Sequence, residues 1–231
     1  MNFLASERYS RQILLPEIGE DGQEKLRRAR VLLVGAGGLG SPVSLYLTGA
    51  GIGHLGLIDD DVVSRSNLHR QVLYDEAAIG EFKALEAARR LRALNDEVEI
   101  IPYTERLTEE NAESILQDYD IVVDGCDNFT TRYILDDVTA RLHRPYVYGA
   151  VCGFEGQVAV FNHPDAPCRY RELFPSPPLA EKSIIGMTPA VVGSVLSHEV
   201  IKIICGYGVS LAGRLWTIDL RNMQTFTLEL K

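Results

Sequence analysis

A glycine-rich turn follows the first strongly apolar stretch of the sequence. Gly35, Gly37, Gly38 and Gly40 fit the pattern G-x-G-x-x-G. We expect this turn between a strand and a helix, where backbone N–H groups and the positive end of the helix dipole can bind phosphate. A side chain here would block the phosphates or the packing of helix on strand. The pattern therefore predicts a nucleotide site, with a purely structural turn as the alternative.

An aspartate ends the next predicted strand. Asp59 lies 19 residues beyond Gly40, close to the spacing at which an acidic side chain accepts hydrogen bonds from a ribose. We assign its neighbours Asp60 and Asp61 to solvent or to helix capping. Up to this point an NAD-dependent dehydrogenase fits as well as an ATP enzyme, because these features bind only adenosine and phosphate.

Cationic residues distinguish between these two classes of enzyme. Arg11 lies near the N-terminus, Ser66 and Asn67 begin a segment that contains Arg70, and Lys83 follows early in a predicted helix. Displacement at the α-phosphorus of a triphosphate needs positive charge around the leaving pyrophosphate, whereas hydride transfer does not. Taken singly, each cation could be an ordinary surface charge. Together with the glycine turn, they favour ATP.

A second acidic segment closes the strand predicted at 120–125. Asp127 follows this strand, at the edge where ligands bind in open α/β sheets. It could bind a magnesium ion that bridges phosphates, because Mg²⁺ prefers one or two carboxylates together with phosphate oxygens. The alternative is that Asp127 or Asn128 caps the next helix.

Strands and helices alternate through the first two thirds of the sequence. Short apolar runs predict buried strands, and segments with apolar residues at helical spacing lie between them. This alternation predicts an α/β fold of Rossmann type, with a mostly parallel sheet and helices on both faces. The predicted strands are 31–34, 54–59, 98–103, 120–125 and 145–151, and the predicted helices are 19–29, 41–51, 81–94, 108–117 and 128–142.

The pattern changes in the last third of the chain. Residues 157–162 alternate between polar and apolar, and 163–183 are rich in proline and charge without periodicity, which predicts a long loop. A helix is expected over 189–205. Residues 213–230 are typical of two strands joined by a turn near Arg221 and Asn222. We therefore expect antiparallel strands to extend the sheet.

Composition limits the possible partners and the location of the protein. The formal net charge is −9 and the sequence pI is about 5.1, so the protein would repel nucleic acid. There is no leader-like segment and no apolar run of membrane-spanning length, which predicts a cytoplasmic protein without membrane contact. The four cysteines form no C-x-x-C pair and are interpreted as buried thiols; they are Cys126, Cys152, Cys168 and Cys205.

Several motifs together resemble one known family. The segments RYSRQILLPEIGEDGQEKL, VLLVGAGGLGS and DDDVVSRSNLHRQVLY, then Lys83 and DGCDN, occur in this order, and they are similar to the ThiF/MoeB/HesA family, relatives of the ubiquitin-activating enzymes. The resemblance covers nearly the whole chain. It implies one domain over 1–231, with a nucleotide-binding part over about 28–150 and a carrier-binding extension with a crossover loop over about 151–231.

The resemblance also implies an activity and a set of site residues. Family members are homodimers that bind ATP and magnesium and adenylylate the Gly-Gly tail of a ubiquitin-like carrier, in either the thiamine or the molybdopterin pathway. By this resemblance, Gly38 lies at the phosphates, Asp59 binds the ribose, Asp127 lies on the metal side, Arg11 reaches the other subunit's site, and ATP also contacts Asn67, Arg70 and Lys83.

Two features depart from the family pattern. Members carry two C-x-x-C pairs for zinc, but only Cys168 is present in the first segment, where Arg171 or Glu172 replaces the second thiol, and no second pair occurs before Lys231. We expect no zinc site, because a tetrahedral site needs four ligands. The segment LAEKSIIGMT also lacks the reactive cysteine of many members, so a covalent enzyme-carrier intermediate is not expected.

We therefore predict an ATP- and magnesium-dependent adenylyltransferase that activates a sulfur carrier, with a partner protein as a possible sulfur donor. The motifs incline us to the thiamine pathway, with the molybdopterin pathway as the alternative. Two other hypotheses remain from different classes: an NAD(P)-dependent oxidoreductase, and a nucleotide-binding scaffold without catalytic activity.

Overall fold

One mixed sheet of eight strands forms the centre of the computed structural model, which describes residues 7–177 and 183–230. The strand order is β3-β2-β1-β4-β5-β6-β7-β8. The strands are β1 (Arg30–Val34), β2 (His54–Ile58), β3 (Glu99–Tyr103), β4 (Ile121–Asp124), β5 (Tyr146–Cys152), β6 (Glu155–Phe161), β7 (Arg214–Asp219) and β8 (Gln224–Glu229).

The first five strands are parallel, and β6, β7 and β8 extend the sheet in antiparallel pairs. The predicted α/β class and its antiparallel extension are thus confirmed. In register, Val34 at the end of β1 lies between Ile58 and Asp124, so three strands end at one edge of the sheet.

The described residues form eight helices, two of which precede the first strand while the others lie between strands. They are α1 (Ser10–Ile13), α2 (Gly19–Arg28), α3 (Gly40–Ala50), α4 (Lys83–Leu94), α5 (Ala112–Leu116), α6 (Phe129–Leu142), α7 (Tyr170–Leu173) and α8 (Met187–Cys205). Short 3₁₀ turns lie at Arg65–Asn67 and Glu76–Ala78.

Two apolar cores cover the two faces of the sheet. Side chains of β1 alternate, so that Val31 and Leu33 pack with α3, α4 and α8, whereas Leu32 and Val34 pack with α5, α6 and α7. Both faces of the parallel strands are therefore buried, which is why these strands are almost entirely apolar.

The prediction of a loop without secondary structure over 163–183 is partly wrong, because this segment contains helix α7. The Arg169 guanidinium donates to both carboxylate oxygens of Asp136 at 3.2 and 2.9 Å, and the Glu172 carboxylate accepts the Arg169 N–H at 3.0 Å. These contacts order a segment that has no periodicity of its own. Residues 178–182 of the predicted loop lie outside the described residues.

Helix α8 contradicts the expectation that the sequence has no apolar run of membrane-spanning length. Its 19 residues are long and apolar enough to cross a membrane by length and composition alone, so the expectation of no such run is wrong. Half of this stretch is buried inside the protein, where Val192, Leu196 and Val200 pack into the core. Packing on the sheet accounts for its apolar composition.

The turn predicted near Arg221 and Asn222 is confirmed. The Asp219 carboxylate at the end of β7 accepts the Arg221 N–H at 2.8 Å and an Asn222 side-chain N–H at 2.7 Å. Met223 then adopts a positive φ of 54° before β8 begins.

Candidate active site

A cleft of about 970 Å³ lies beyond the carboxyl ends of β1, β2 and β4. Strand β1 has β2 on one side and β4 on the other, so the chain crosses the sheet in opposite directions from this point, as at the ligand sites of open α/β sheets. Most of the predicted site residues line the cleft, namely Gly35, Gly37, Gly38, Asp59, Asn67, Arg70, Lys83 and Asp127.

The four glycines of the turn serve two different needs. Gly35 has a φ of +96°, and a Cβ there would lie 2.6 Å from the Gly125 backbone. A Cβ on Gly40 would lie 2.1 Å from the Gly35 carbonyl oxygen. By contrast, a Cβ on Gly37 or Gly38 would meet its nearest atoms at ordinary distances of 3.4 and 3.5 Å. Packing thus demands glycine at 35 and 40, whereas positions 37 and 38 are left open toward the cleft.

Asp59 fixes the glycine turn from the end of β2. One carboxylate oxygen accepts the Ala36 N–H at 2.7 Å and the other accepts the Asp61 N–H at 2.9 Å. Burial raises the pKa of Asp59 above its ordinary value, and the charge of Lys83 partly lowers it again. Asp59 lines the cleft, and its contact with ribose stays a prediction.

Lys83 is buried rather than a surface charge. It is the first residue of α4, and its Nζ donates to Asp61 Oδ2 at 2.7 Å and lies 4.0 Å from Asp59 Oδ1. Asp61, which the sequence assigned to solvent or capping, is therefore the counter-ion of Lys83. Asp60 forms a longer ion pair, of 3.3 Å, with Arg106.

A turn directs Arg70 toward the cleft. The Asn67 carbonyl accepts the N–H groups of Arg70 and Gln71, each at 3.0 Å, and Arg70 Nη1 donates to the Ser66 carbonyl at 3.2 Å. Ser66 does not line the cleft and acts here through its backbone. Gln71, which lines the cleft and is buried, was not predicted as a site residue.

The structure separates the two possible roles of the residues after β4. Asn128 is the N-cap of α6, because its side-chain oxygen accepts the Thr131 N–H at 2.9 Å. Among the described residues, the Asp127 side chain has no hydrogen bond or ion pair, and it is exposed in the cleft. An exposed carboxylate that no described residue pairs with, in the same cleft as the open glycines, suits a magnesium ion held jointly with phosphate oxygens. No group of three or more metal-ligating side chains occurs within residues 7–177 and 183–230.

A buried charge network that the sequence analysis missed supports the Asp127 loop. Arg132 Nε donates to Asp124 at 2.9 Å and Arg132 Nη2 to the Cys126 carbonyl at 2.9 Å, while the Tyr146 hydroxyl donates to Asp124 at 2.9 Å. The sequence contains one signal for this network: Arg132 lies on the side of a predicted helix that should pack against the sheet. Since buried charges are normally paired, an arginine there indicates a buried partner.

Cys126 is one of two thiols that line the cleft, and its surroundings disfavour the thiolate. Burial and the adjacent Asp124 carboxylate raise the pKa of Cys126 well above its ordinary value, so the thiol stays protonated. Cys168 lies in the segment ordered by Arg169, and burial also raises its pKa. A thiolate, not a thiol, is the nucleophile and zinc ligand.

Arg11 is the one predicted cation among the described residues that this chain does not bring to the cleft. It lies on α1, is exposed, and is not among the residues that line the cleft. Its action on a second subunit stays a prediction.

The sheet order, the open glycine turn and the cations around it define a nucleotide-binding α/β protein of Rossmann type. The model of the ThiF family matches residues 9–231, and the chain belongs to this family. It is 51% identical over 225 residues to a sulfur carrier protein adenylyltransferase of Thermus thermophilus, with 92% of this chain and 83% of the relative covered.

Further relatives are longer proteins. The chain is 48% identical to the adenylyltransferase and sulfurtransferase MOCS3 of Culex quinquefasciatus, over 92% of this chain and 50% of the relative. It is 42% identical to the probable adenylyltransferase/sulfurtransferase MoeZ of Mycobacterium tuberculosis, over 97% and 60%. The chain thus spans about half to three fifths of these two proteins. These relatives identify the enzyme class as adenylyltransferase.

Solved structures agree with the fold. PaaA superposes with a TM-score of 0.87 at 24% identity, covering 100% of this chain and 75% of PaaA. E. coli MccB solved with ATP gives a TM-score of 0.87 at 23% identity, covering 96% and 71%. At this level of identity, the likeness supports the fold alone.

Proposed function

We propose that the protein transfers AMP from ATP to the C-terminal Gly-Gly carboxylate of a ubiquitin-like sulfur-carrier protein. The observation that carries this proposal is the meeting, in one cleft, of an open glycine turn with Lys83, Arg70 and the exposed carboxylate of Asp127. Such a cleft can hold a triphosphate and neutralise the charge that develops on its leaving pyrophosphate.

The reaction needs no nucleophile from the protein. An oxygen of the carrier carboxylate attacks the α-phosphorus of ATP, the bond from this phosphorus to the bridging oxygen breaks, and pyrophosphate leaves with the electron pair. Lys83 and Arg70 stabilise the negative charge of the leaving group, and Asp59 orients the nucleoside. Asp127 would hold a magnesium ion, which supplies further charge neutralisation.

The second half of the cleft offers room for the carrier. It continues over β6, β7 and β8, where Gln157, Thr217, Asp219 and Phe226 line it. An extended peptide tail that enters along these strands could bring its terminal carboxylate to the nucleotide. Lining residues thus come from both parts of the single domain that we propose, the nucleotide-binding part and the extension.

The proposal also includes the biosynthetic pathway to which the carrier belongs. The name of the Thermus relative specifies a sulfur carrier protein but no pathway. We retain the thiamine-pathway carrier as our proposal and the molybdopterin-pathway carrier as its alternative. A homodimer completed by Arg11 is part of the same proposal.

The test is exchange of labelled pyrophosphate into ATP with each type of carrier in turn. We expect exchange that depends on one carrier and is lost when its terminal Gly-Gly is removed. Exchange without any carrier, or none with either carrier while ATP still binds, would contradict the proposal. Binding of NADH, detected by its fluorescence, would support the oxidoreductase hypothesis instead.

A further inference from the structure

A short backbone ladder brings Asp61 beside Lys83. Val62 and Phe82 form an antiparallel bridge, the Lys83 N–H donates to the Asp61 carbonyl at 2.9 Å, and the Val63 N–H donates to the Glu81 carbonyl at 2.9 Å. The backbone of Asp61 is therefore fixed next to the start of α4, and its carboxylate does not meet Lys83 by chance.

Lys83 lies between two carboxylates with different surroundings. Its side chain is 7% exposed and lies 2.7 Å from Asp61, whose side chain is 68% exposed, and 4.0 Å from Asp59, which is 10% exposed. Charges attract more strongly where water is excluded. Without Asp61, the ammonium would move toward the buried Asp59 and away from the open cleft.

We infer that Asp61 is a positioning residue that holds the Lys83 ammonium toward the phosphates and away from Asp59. An ammonium has three donors; one is used on Asp61, and the others stay available for phosphate oxygens. Asp59 also keeps its remaining acceptor capacity for the nucleoside. This inference rests on the proposed function, and it assigns a role to a residue that we interpreted from the sequence as solvated or capping.

The experiment is a double-mutant cycle on ATP binding, measured by calorimetry on the full chain. Asp61→Ala in the wild-type background should weaken ATP binding by about threefold to fivefold, the range of an exposed ion pair. Asp61→Asn, which keeps an acceptor oxygen, should lie between wild type and Asp61→Ala. In a Lys83→Ala background, Asp61→Ala should have no effect, because the group that it positions is gone.

The matched control is Glu113→Ala. Glu113 forms an exposed ion pair of 3.2 Å with Arg141, away from the cleft, and its removal should leave ATP binding unchanged. Thermal unfolding of each variant checks that the fold is intact. The KM for ATP in carrier-dependent exchange should follow the calorimetric change.

Two results would overturn the inference. Equal effects of Asp61→Ala in both backgrounds would show that Asp61 acts independently of Lys83. Tighter ATP binding in Asp61→Ala would show that its charge mainly repels the nucleotide. Since calorimetry needs no carrier, the inference and the proposed function can fail separately: absence of carrier-dependent exchange in the wild type would count against the function alone.

Discussion

Alanine at Gly38 and alanine at Gly40 should damage different properties of the protein. A Cβ on Gly38 meets Arg70 and Pro189 side-chain carbons at 3.5 Å, which is ordinary contact. A Cβ on Gly40 comes within 2.1 Å of the Gly35 carbonyl oxygen, which belongs to the backbone and cannot rotate away. The first change therefore fits the free protein, and the second forces the turn to shift by about 1 Å, a form of overpacking.

Overpacking of this kind costs about 1–3 kcal/mol. In a chain of this size each kcal/mol lowers Tm by about 2–4 °C, so Gly40→Ala should lower Tm by several degrees. Gly38→Ala should leave Tm within about 2 °C of wild type, as for most substitutions without strain. Its Cβ occupies space that the phosphates need, and we expect ATP to bind about tenfold more weakly.

The assay combines thermal unfolding without nucleotide and calorimetric titration with ATP and magnesium. Gly49→Ala is the control, because Gly49 is exposed in α3 with no atom within 4 Å of an added Cβ, and alanine should stabilise the helix slightly. An equal loss of Tm in Gly38→Ala and Gly40→Ala, or unchanged ATP affinity in Gly38→Ala, would refute the reasoning.

The pH response, subunit exchange, magnesium dependence and thiol independence of the enzyme can each be tested. Because burial raises the pKa of Asp59, this carboxylate becomes protonated at a higher pH than an ordinary carboxyl group. ATP affinity, measured by calorimetry, should therefore fall on mild acidification. Asp59→Asn should remove this pH dependence. Mixed Arg11→Ala and Arg70→Ala proteins should regain activity through heterodimers with one intact site; no recovery after proven subunit exchange would argue against action across the interface. Chelation of magnesium should abolish pyrophosphate exchange, and full exchange in excess chelator would exclude the metal. Pyrophosphate exchange should persist in a variant that lacks all protein thiols, with substitutions at Cys126, Cys152, Cys168 and Cys205. Loss of exchange in this variant, together with a thiol-dependent enzyme-carrier adduct in the wild type, would contradict the prediction.

Local patterns were sufficient to predict most of the sheet. A buried parallel strand is a short apolar run that must end in a turn, and the run before Gly35 shows both features. Helix α7 could not be predicted in this way. It is held by Arg169 on Asp136, a residue 33 positions earlier in the chain, and periodicity contains no information on such a contact.

The same distinction applies to the site. Asp59 and Asp127 follow strands, so their meeting at one edge of the sheet was predictable from the order of elements. The partner of Lys83 was not, because adjacent aspartates look alike in sequence and only the ladder between 61–63 and 80–83 selects Asp61. Arg132 was missed for the same reason, since its role depends on a buried pair with Asp124.

The charges of the cleft argue for a divalent cation. Its lining includes four cationic side chains, of which Lys83, Arg106 and Arg132 are paired with aspartates, and seven carboxylates. A polyphosphate entering such a cleft meets an excess of negative charge, which Lys83 and Arg70 together cannot balance. Asn128 caps the N-terminus of α6, so Asp127 is not needed as a helix cap. Its negative charge adds to this excess. A carboxylate in this position is unfavourable for ATP alone and would be favourable for ATP with magnesium, because Asp127 would help to hold an ion that neutralises charge on both negative groups.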